Sequence, residues 1–154
     1  RACQMLSELL AKGVPIDGVG LQAHWDNSIT REQIQTAIDR FSALGLDIHI
    51  TELDLTCFDN YHGSGAAERQ KIKTSIHYSD EVADAQAAQY AMIFDVLHQN
   101  HDKISSVTFW CLTDRTSWLN GFPIRGRLDY PLLFDAQHQP KKAFFAVKDV
   151  FTKK

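Results

Sequence analysis

The chain has 154 residues, of which 44% are hydrophobic and 10% aromatic, so it has enough apolar side chains for one folded domain and is not a disordered segment. Its net charge of -3 and its lack of a long basic run exclude nucleic acid and an anionic membrane surface as partners. No apolar stretch is long enough to span a bilayer, and the three cysteines fit neither a full disulfide framework nor a paired metal-binding pattern.

Helix and strand patterns alternate along the chain. In order, they predict helix 2–12, strand 19–22, helix 31–44, strand 48–54, helix 80–100, strand 106–112 and a helix that starts near Pro140. Thr30 and Gln33 form a capping box at the start of the second helix, and Ser79 is a candidate N-cap for the third. Residues 56–79 predict a long irregular loop.

This alternation is typical of a parallel sheet with right-handed crossovers, either an open sheet or a closed barrel. Three strands leave two bare sheet edges, and the chain holds roughly half of the about 250 residues that an eight-unit barrel needs. We therefore expect part of a larger α/β fold.

Strand 48–54 reads Ile-His-Ile-Thr-Glu-Leu-Asp. Strict alternation puts Ile48, Ile50, Glu52 and Asp54 on one face, which begins apolar and finishes acidic. This pattern predicts a buried strand whose carboxyl end opens into a polar site, where parallel α/β folds carry their chemistry. Helix capping or pairing with an arginine is the alternative for the two acids, but no helix follows closely.

Gln22 and His24 lie at the end of the preceding strand and are expected to meet Glu52 and Asp54. An imidazole between two carboxylates fixes the ionisation and orientation of both. Taken alone, His24 is better explained as a hydrogen-bonded core histidine. Residues 18–23 formally fit a dinucleotide motif, but their glycines open the strand instead of following it, which argues against a nucleotide site.

Two tryptophans follow the third strand. Trp110 at the strand tip and Trp118 in the loop beyond can both face one cleft, where indole rings stack on sugars and groups such as Arg115 and Asn120 bind hydroxyls. Two core tryptophans are the alternative, which is weaker for Trp118 because its neighbours are polar.

His98, His101 and Asp102 have a spacing that raises the possibility of a metal site. A solvated helix end explains them better, because imidazoles complement the helix dipole there and the sequence offers no second ligand cluster. We expect no metal and no cofactor.

These motifs together resemble glycoside hydrolase family 10, the endo-β-1,4-xylanases. Four blocks in the family's order carry the resemblance: GVPIDGVGLQAH from Gly13 to His24, ITELD from Ile50 to Asp54, FW at Phe109 with SWLN from Ser117, and YPLLFD from Tyr130 with QPK from Gln139. The resemblance implies that the three strands are the sixth, seventh and eighth of a (β/α)8 TIM barrel. It also implies that residues 1–154 are a partial catalytic domain without its N-terminal half.

The resemblance assigns Glu52 as the catalytic nucleophile of a retaining enzyme, supported by His24 and Asp54. Gln22 would lie close to the same sugar, and Trp110 and Trp118 would line the glycone subsites. The family's acid/base glutamate lies on the fourth strand, and nothing in this chain matches it. Cys111 stands where the family usually has glycine.

The expected function is that of an endo-β-1,4-xylanase acting on xylan or xylo-oligosaccharides outside the cell, secreted, periplasmic or cell-surface. The chain alone is expected to be inactive, and to associate with the missing N-terminal half or with itself through its bare sheet edges. The alternatives are a non-catalytic carbohydrate-binding fragment and a small stand-alone α/β binding protein.

Overall fold

The computed structural model describes residues 1–58 and 75–152. The helices are α1 (Ala2–Ala11), α2 (Arg31–Ser42), α3 (Asp80–Gln99) and α4 (Lys142–Thr152). The strands are β1 (Gly18–Leu21), β2 (His24–Asp26), β3 (Asp47–Thr56) and β4 (Ile104–Phe109), and two 3-10 turns follow at Asp114–Thr116 and Trp118–Asn120. Most of the predicted loop, residues 59–74, lies outside the described residues.

Within residues 1–58 and 75–152, the four strands pair with one another in parallel, as predicted. β1 and β2 pair in sequence with the two halves of β3, and β4 pairs with the other side of β3. β1 and β2 form one strand line that is interrupted at Ala23, whose φ of 64° is outside the extended region. The Glu52 amide donates to the Gln22 carbonyl at 3.0 Å across this interruption, so the line continues towards the carboxyl end of the sheet.

The predicted face of β3 is wrong in part. Ile48 and Ile50 belong to the hydrophobic core, but the core then continues with Leu53 and Leu55, not with positions 52 and 54. The pairing of β3 shifts by one residue against both neighbours between Ile50 and the region of Leu53. This irregularity reverses the alternation, as a β-bulge does, and leaves the two acids on the face opposite the helices.

Local sequence signals start and stop the helices. Thr30 and Gln33 form the predicted capping box, and the Ser79 side chain accepts from the Val82 amide at the start of α3. Gly13 follows the end of α1 and has a φ of 76°, the left-handed conformation in which glycine commonly ends a helix.

The helices cover one face of the sheet. α3 packs against α2 and α4, and its buried side chains join the strand residues in one core. α1 contributes no fully buried residue. None of the helices in residues 1–58 and 75–152 combines the length and apolar character needed to cross a membrane. The result is a partial α/β barrel, open on the face that carries the acids.

Candidate active site

Glu52 is the centre of a polar cluster at the carboxyl ends of the strands. His24 Nε2 lies 3.1 Å from Glu52 Oε2, and Gln22 Nε2 donates to Oε1 at 3.3 Å. Both oxygens are therefore held from the neighbouring strand line, while the Glu52 side chain remains 23% exposed. A carboxylate that is oriented on one side and accessible on the other is suited to attack an electrophile.

Asp54 lies behind His24 and is far less accessible. Its Oδ1 is 3.0 Å from His24 Nδ1, and its Oδ2 accepts a 2.7 Å hydrogen bond from Trp118 Nε1. Only 1% of the side chain is exposed. Burial raises the pKa of Asp54, while the hydrogen bonds from Trp118 and His24 oppose that rise.

The protons of this cluster are constrained by its geometry. Both ring nitrogens of His24 face carboxylate oxygens, and a neutral imidazole donates from only one nitrogen. Both hydrogen bonds form when His24 is an imidazolium, or when neutral His24 donates to one of the two carboxylates and accepts from the protonated form of the other. In each of these states, the imidazole ring links Asp54 to Glu52 through its two nitrogens.

The loop after β4 brings Trp118 to Asp54. Buried Asp114 accepts from the Leu132 amide at 2.8 Å and pairs with Lys141 Nζ at 3.0 Å. Burial raises the pKa of Asp114 to about 6, and the Lys141 ammonium acts in the opposite direction. Lys141 also donates to two backbone carbonyls, so one buried cation fixes the loop against the segment that leads to α4.

A second buried anchor joins this loop to the end of β3. Asp129 accepts hydrogen bonds from the Thr56 hydroxyl and from the Cys57 amide. Arg127 lies 3.7 Å above the Phe58 ring centroid and has no exposed side-chain surface. Sequence reasoning identified none of these residues, because their partners are about 70 positions apart and no local pattern marks the pairing.

The remaining predicted site residues lie on the loop and the strand tip. Trp110 is 43% exposed, and its amide donates to the Leu53 carbonyl, which fixes the strand tip beside the cluster. Arg115 is exposed on the first 3-10 turn. Asn120 donates to the Asp114 carbonyl and accepts from the Asp129 amide. These two hydrogen bonds favour a role in stabilising the loop, rather than the predicted role in binding sugar hydroxyls.

Cys111 has a φ of 98°, a backbone region that favours glycine. Its thiol donates to the Thr116 carbonyl at 3.2 Å. The resemblance places glycine at this position in most of the family. The positive φ gives the physical reason for that preference.

The histidines of the alternative metal site lie near each other at the end of α3. The His98 and His101 rings are 5.9 Å apart, and His101 Nδ1 faces the His98 carbonyl. Within residues 1–58 and 75–152, no group of three or more His, Cys, Asp or Glu side chains is arranged to hold a metal ion.

Parallel strands that carry an oriented, accessible carboxylate at their carboxyl ends, beside an exposed tryptophan, are the arrangement expected of a glycoside hydrolase with a barrel fold. The model of glycosyl hydrolase family 10 matches residues 1–150, and the chain belongs to that family.

Similar proteins agree with this assignment. An endo-1,4-beta-xylanase of Geobacillus stearothermophilus is 40% identical over 149 residues, which are 95% of this chain and 42% of that protein. A solved family 10 structure from Paenibacillus barcinonensis has a TM-score of 0.85 and 36% identity, covering 98% of this chain and 41% of that one. A mutant structure in complex with xylotriose has a TM-score of 0.83 and 39% identity over 96% and 43% of the two chains. The chain thus spans about two fifths of the length of the curated relatives it matches.

Proposed function

We propose that this chain supplies the nucleophile side of a retaining endo-β-1,4-xylanase, with Glu52 as the nucleophile. The observation that carries the proposal is the hold on Glu52. Gln22 and His24 each engage one of its oxygens from the neighbouring strand line, yet the carboxylate stays partly accessible. The names of the similar proteins support the reaction class.

In the proposed reaction, one Glu52 oxygen forms a bond to the anomeric carbon of a xylose unit as the glycosidic C–O bond breaks. A general acid outside this chain protonates the departing oxygen. Water, deprotonated by the same group, then attacks the anomeric carbon of the ester and releases Glu52 as a carboxylate. His24 and Asp54 hold the nucleophile in place throughout.

Asp54 is unsuited to be the second catalytic carboxyl group. Its two oxygens face His24 and Trp118, and its side chain is buried, so it has no path to the departing oxygen or to water. The chain alone is therefore proposed to be inactive or nearly so, because removal of general acid catalysis costs about 10² to 10⁴ in rate.

The proposed substrate is xylan or a xylo-oligosaccharide. Trp110 is 43% exposed and offers its indole for stacking on a xylose ring. Gln22 donates to Glu52, and Trp118 donates to Asp54 in the same cluster. Exposed Arg115 is proposed to bind sugar hydroxyls, whereas Asn120 acts through the loop. A solved neighbour's xylotriose ligand supports this substrate class.

The proposed partner is the N-terminal part of a family 10 barrel. Among the described residues, β1 and β2 at one edge and β4 at the other each pair with β3 on one side, and their other sides are the positions where further parallel strands would pair. Light scattering separates this proposal from a stand-alone binding domain, for which a stable monomer is expected.

We further propose that the protein is located outside the cell, because a polymeric substrate has to be cut there. Detection of the protein only in a cytosolic fraction would contradict that.

The enzymatic proposal is tested in a completed barrel, in which residues 1–154 replace the matching segment of the Geobacillus stearothermophilus relative. Glu52→Gln should reduce xylan hydrolysis by at least about 10³-fold, because an amide cannot form the glycosyl ester. Glu32→Gln, on the exposed surface of α2, is the matched control and should keep full activity. Retained hydrolysis by the Glu52 variant would favour the non-catalytic, carbohydrate-binding alternative.

A further inference from the structure

Trp118 contacts two other rings at once. Its centroid lies 4.9 Å from that of His24 and 5.5 Å from that of Phe122, and the Phe122 ring is nearly parallel to the indole, at 23°. The same indole donates from Nε1 to Asp54. Phe122 is therefore at the outer end of a row of contacts that leads through Trp118 to Asp54, His24 and Glu52.

The exposure of Phe122 is unusual for its size. The residue is 61% exposed, so burial in the core does not account for it. Its position relative to Trp118 is fixed twice, by the ring stack and by a 3.1 Å hydrogen bond from its own amide to the Trp118 carbonyl. A flat ring held over an indole by the backbone restricts the side-chain rotation of that indole.

We propose that Phe122 is a positioning residue, which holds the Trp118 indole on Asp54 and thereby keeps the His24 and Glu52 pair aligned. The proposal rests on the proposed function, in which Glu52 is the nucleophile. Phe122 does not touch Glu52 and acts through Trp118. Loss of the ring leaves Trp118 with fewer contacts on its outer side and lets its Nε1 hydrogen leave Asp54 more often.

The first test measures solvent exchange of the Trp118 indole Nε1 hydrogen by NMR in the chain itself. Phe122→Ala should speed this exchange roughly two- to tenfold, which is the factor that the stability of one aromatic pair sets. Phe122→Tyr keeps the ring and should retain the wild-type rate. Phe145→Ala is the matched control, because Phe145 is 49% exposed on α4 and contacts Phe144. Unchanged exchange in Phe122→Ala would overturn the proposal.

The second test measures hydrolysis by the completed barrel. Phe122→Ala should lower kcat/KM by roughly two- to tenfold. It should also shift the acid limb of the pH profile of kcat/KM to higher pH, because the Trp118 hydrogen bond lowers the pKa of Asp54. Phe122→Tyr should restore both values. A wild-type pH profile in Phe122→Ala would overturn the positioning role. Full activity of Glu52→Gln would instead overturn the proposed function, and would leave the exchange result of the first test intact.

Discussion

Two histidine clusters lie at opposite ends of β3, and they have nearly the same hydrogen-bond distances. At the carboxyl end, His24 is 3.0 Å from Asp54. At the amino end, His49 is 2.9 Å from Asp47 and 2.9 Å from the Ser106 hydroxyl. The clusters differ in exposure: the side chains of the first pair are 16% and 1% exposed, and those of the second 47% and 41%.

This difference in exposure gives the two aspartates pKa shifts in opposite directions. Burial raises the pKa of Asp54. The hydrogen bond from Ser105 is the largest cause that lowers the pKa of Asp47, a partly exposed carboxylate. Water screens the amino-end cluster, so its hydrogen bonds only favour the charged form slightly. At the carboxyl end, the same geometry in a drier place makes ionisation costly and makes each partner matter.

The comparison predicts the largest difference in activity. In the completed barrel, His24→Ala should lower kcat/KM on xylan by about 10²-fold, because Glu52 loses one of its two holding partners and shifts from the reactive position. His49→Ala removes the matching imidazole from the exposed cluster and should keep activity near the wild-type value.

Steady-state hydrolysis rates with a xylo-oligosaccharide check this pair of variants. Equal losses in the two variants would show that both clusters serve the reaction, and the distinction between the two ends of β3 would then be wrong.

A second prediction concerns the pH dependence of stability. Folded Asp54 binds its proton more tightly than unfolded Asp54, so its contribution to the free energy of unfolding falls as pH rises above the usual aspartate pKa of about 3.9. The contribution of Asp47 to the free energy of unfolding depends on pH in the opposite direction. Its lowered pKa favours the charged form in the folded chain, so this contribution is lost as pH falls below the usual aspartate pKa.

Urea unfolding at several pH values measures these contributions as the difference between wild type and Asp54→Asn or Asp47→Asn. The two difference curves should slope in opposite directions, and the Asp47 curve should be the shallower one. Parallel slopes would contradict the assignment of burial as the dominant cause at Asp54.

The smallest effect is expected at Cys111, in the strand tip of the carboxyl end. A non-glycine residue in this left-handed region is strained, so Cys111→Gly should stabilise the chain by about 1 kcal/mol after the added freedom of the unfolded chain is subtracted. Cys111→Ala is the matched control, since it removes the thiol contact with Thr116 and keeps the strain. Midpoints of urea unfolding measure the difference, and a glycine variant less stable than the alanine variant would contradict it.

Local signals in the sequence predicted the helices, and the strand pattern predicted which polar side chains meet at the strand ends. The capping box at Thr30 and the N-cap at Ser79 depend on residues three positions apart, and both are present in the structure. The meeting of His24 with Glu52 and Asp54 followed from parallel strands whose carboxyl ends share one edge.

Features set by pairing between distant segments were not predictable in the same way. The shift in β3 pairing, which moves Leu53 and Leu55 onto the core face, depends on register with both neighbouring strands. The position of Phe122 over Trp118 depends on a loop fixed by Asp114 and Asp129, whose partners are far away in sequence. Alternation within one strand contains no information about either.

The proposed function depends on a covalent intermediate formed on Glu52, and peptide mapping by mass spectrometry tests that step most directly. The completed barrel is treated with an activated 2-fluoro xylobioside, whose electron-withdrawing fluorine slows breakdown of the glycosyl ester. We predict one sugar per molecule, attached to the peptide that contains Glu52, and no label in Glu52→Gln. A label on Asp54 or on any other side chain would contradict the account.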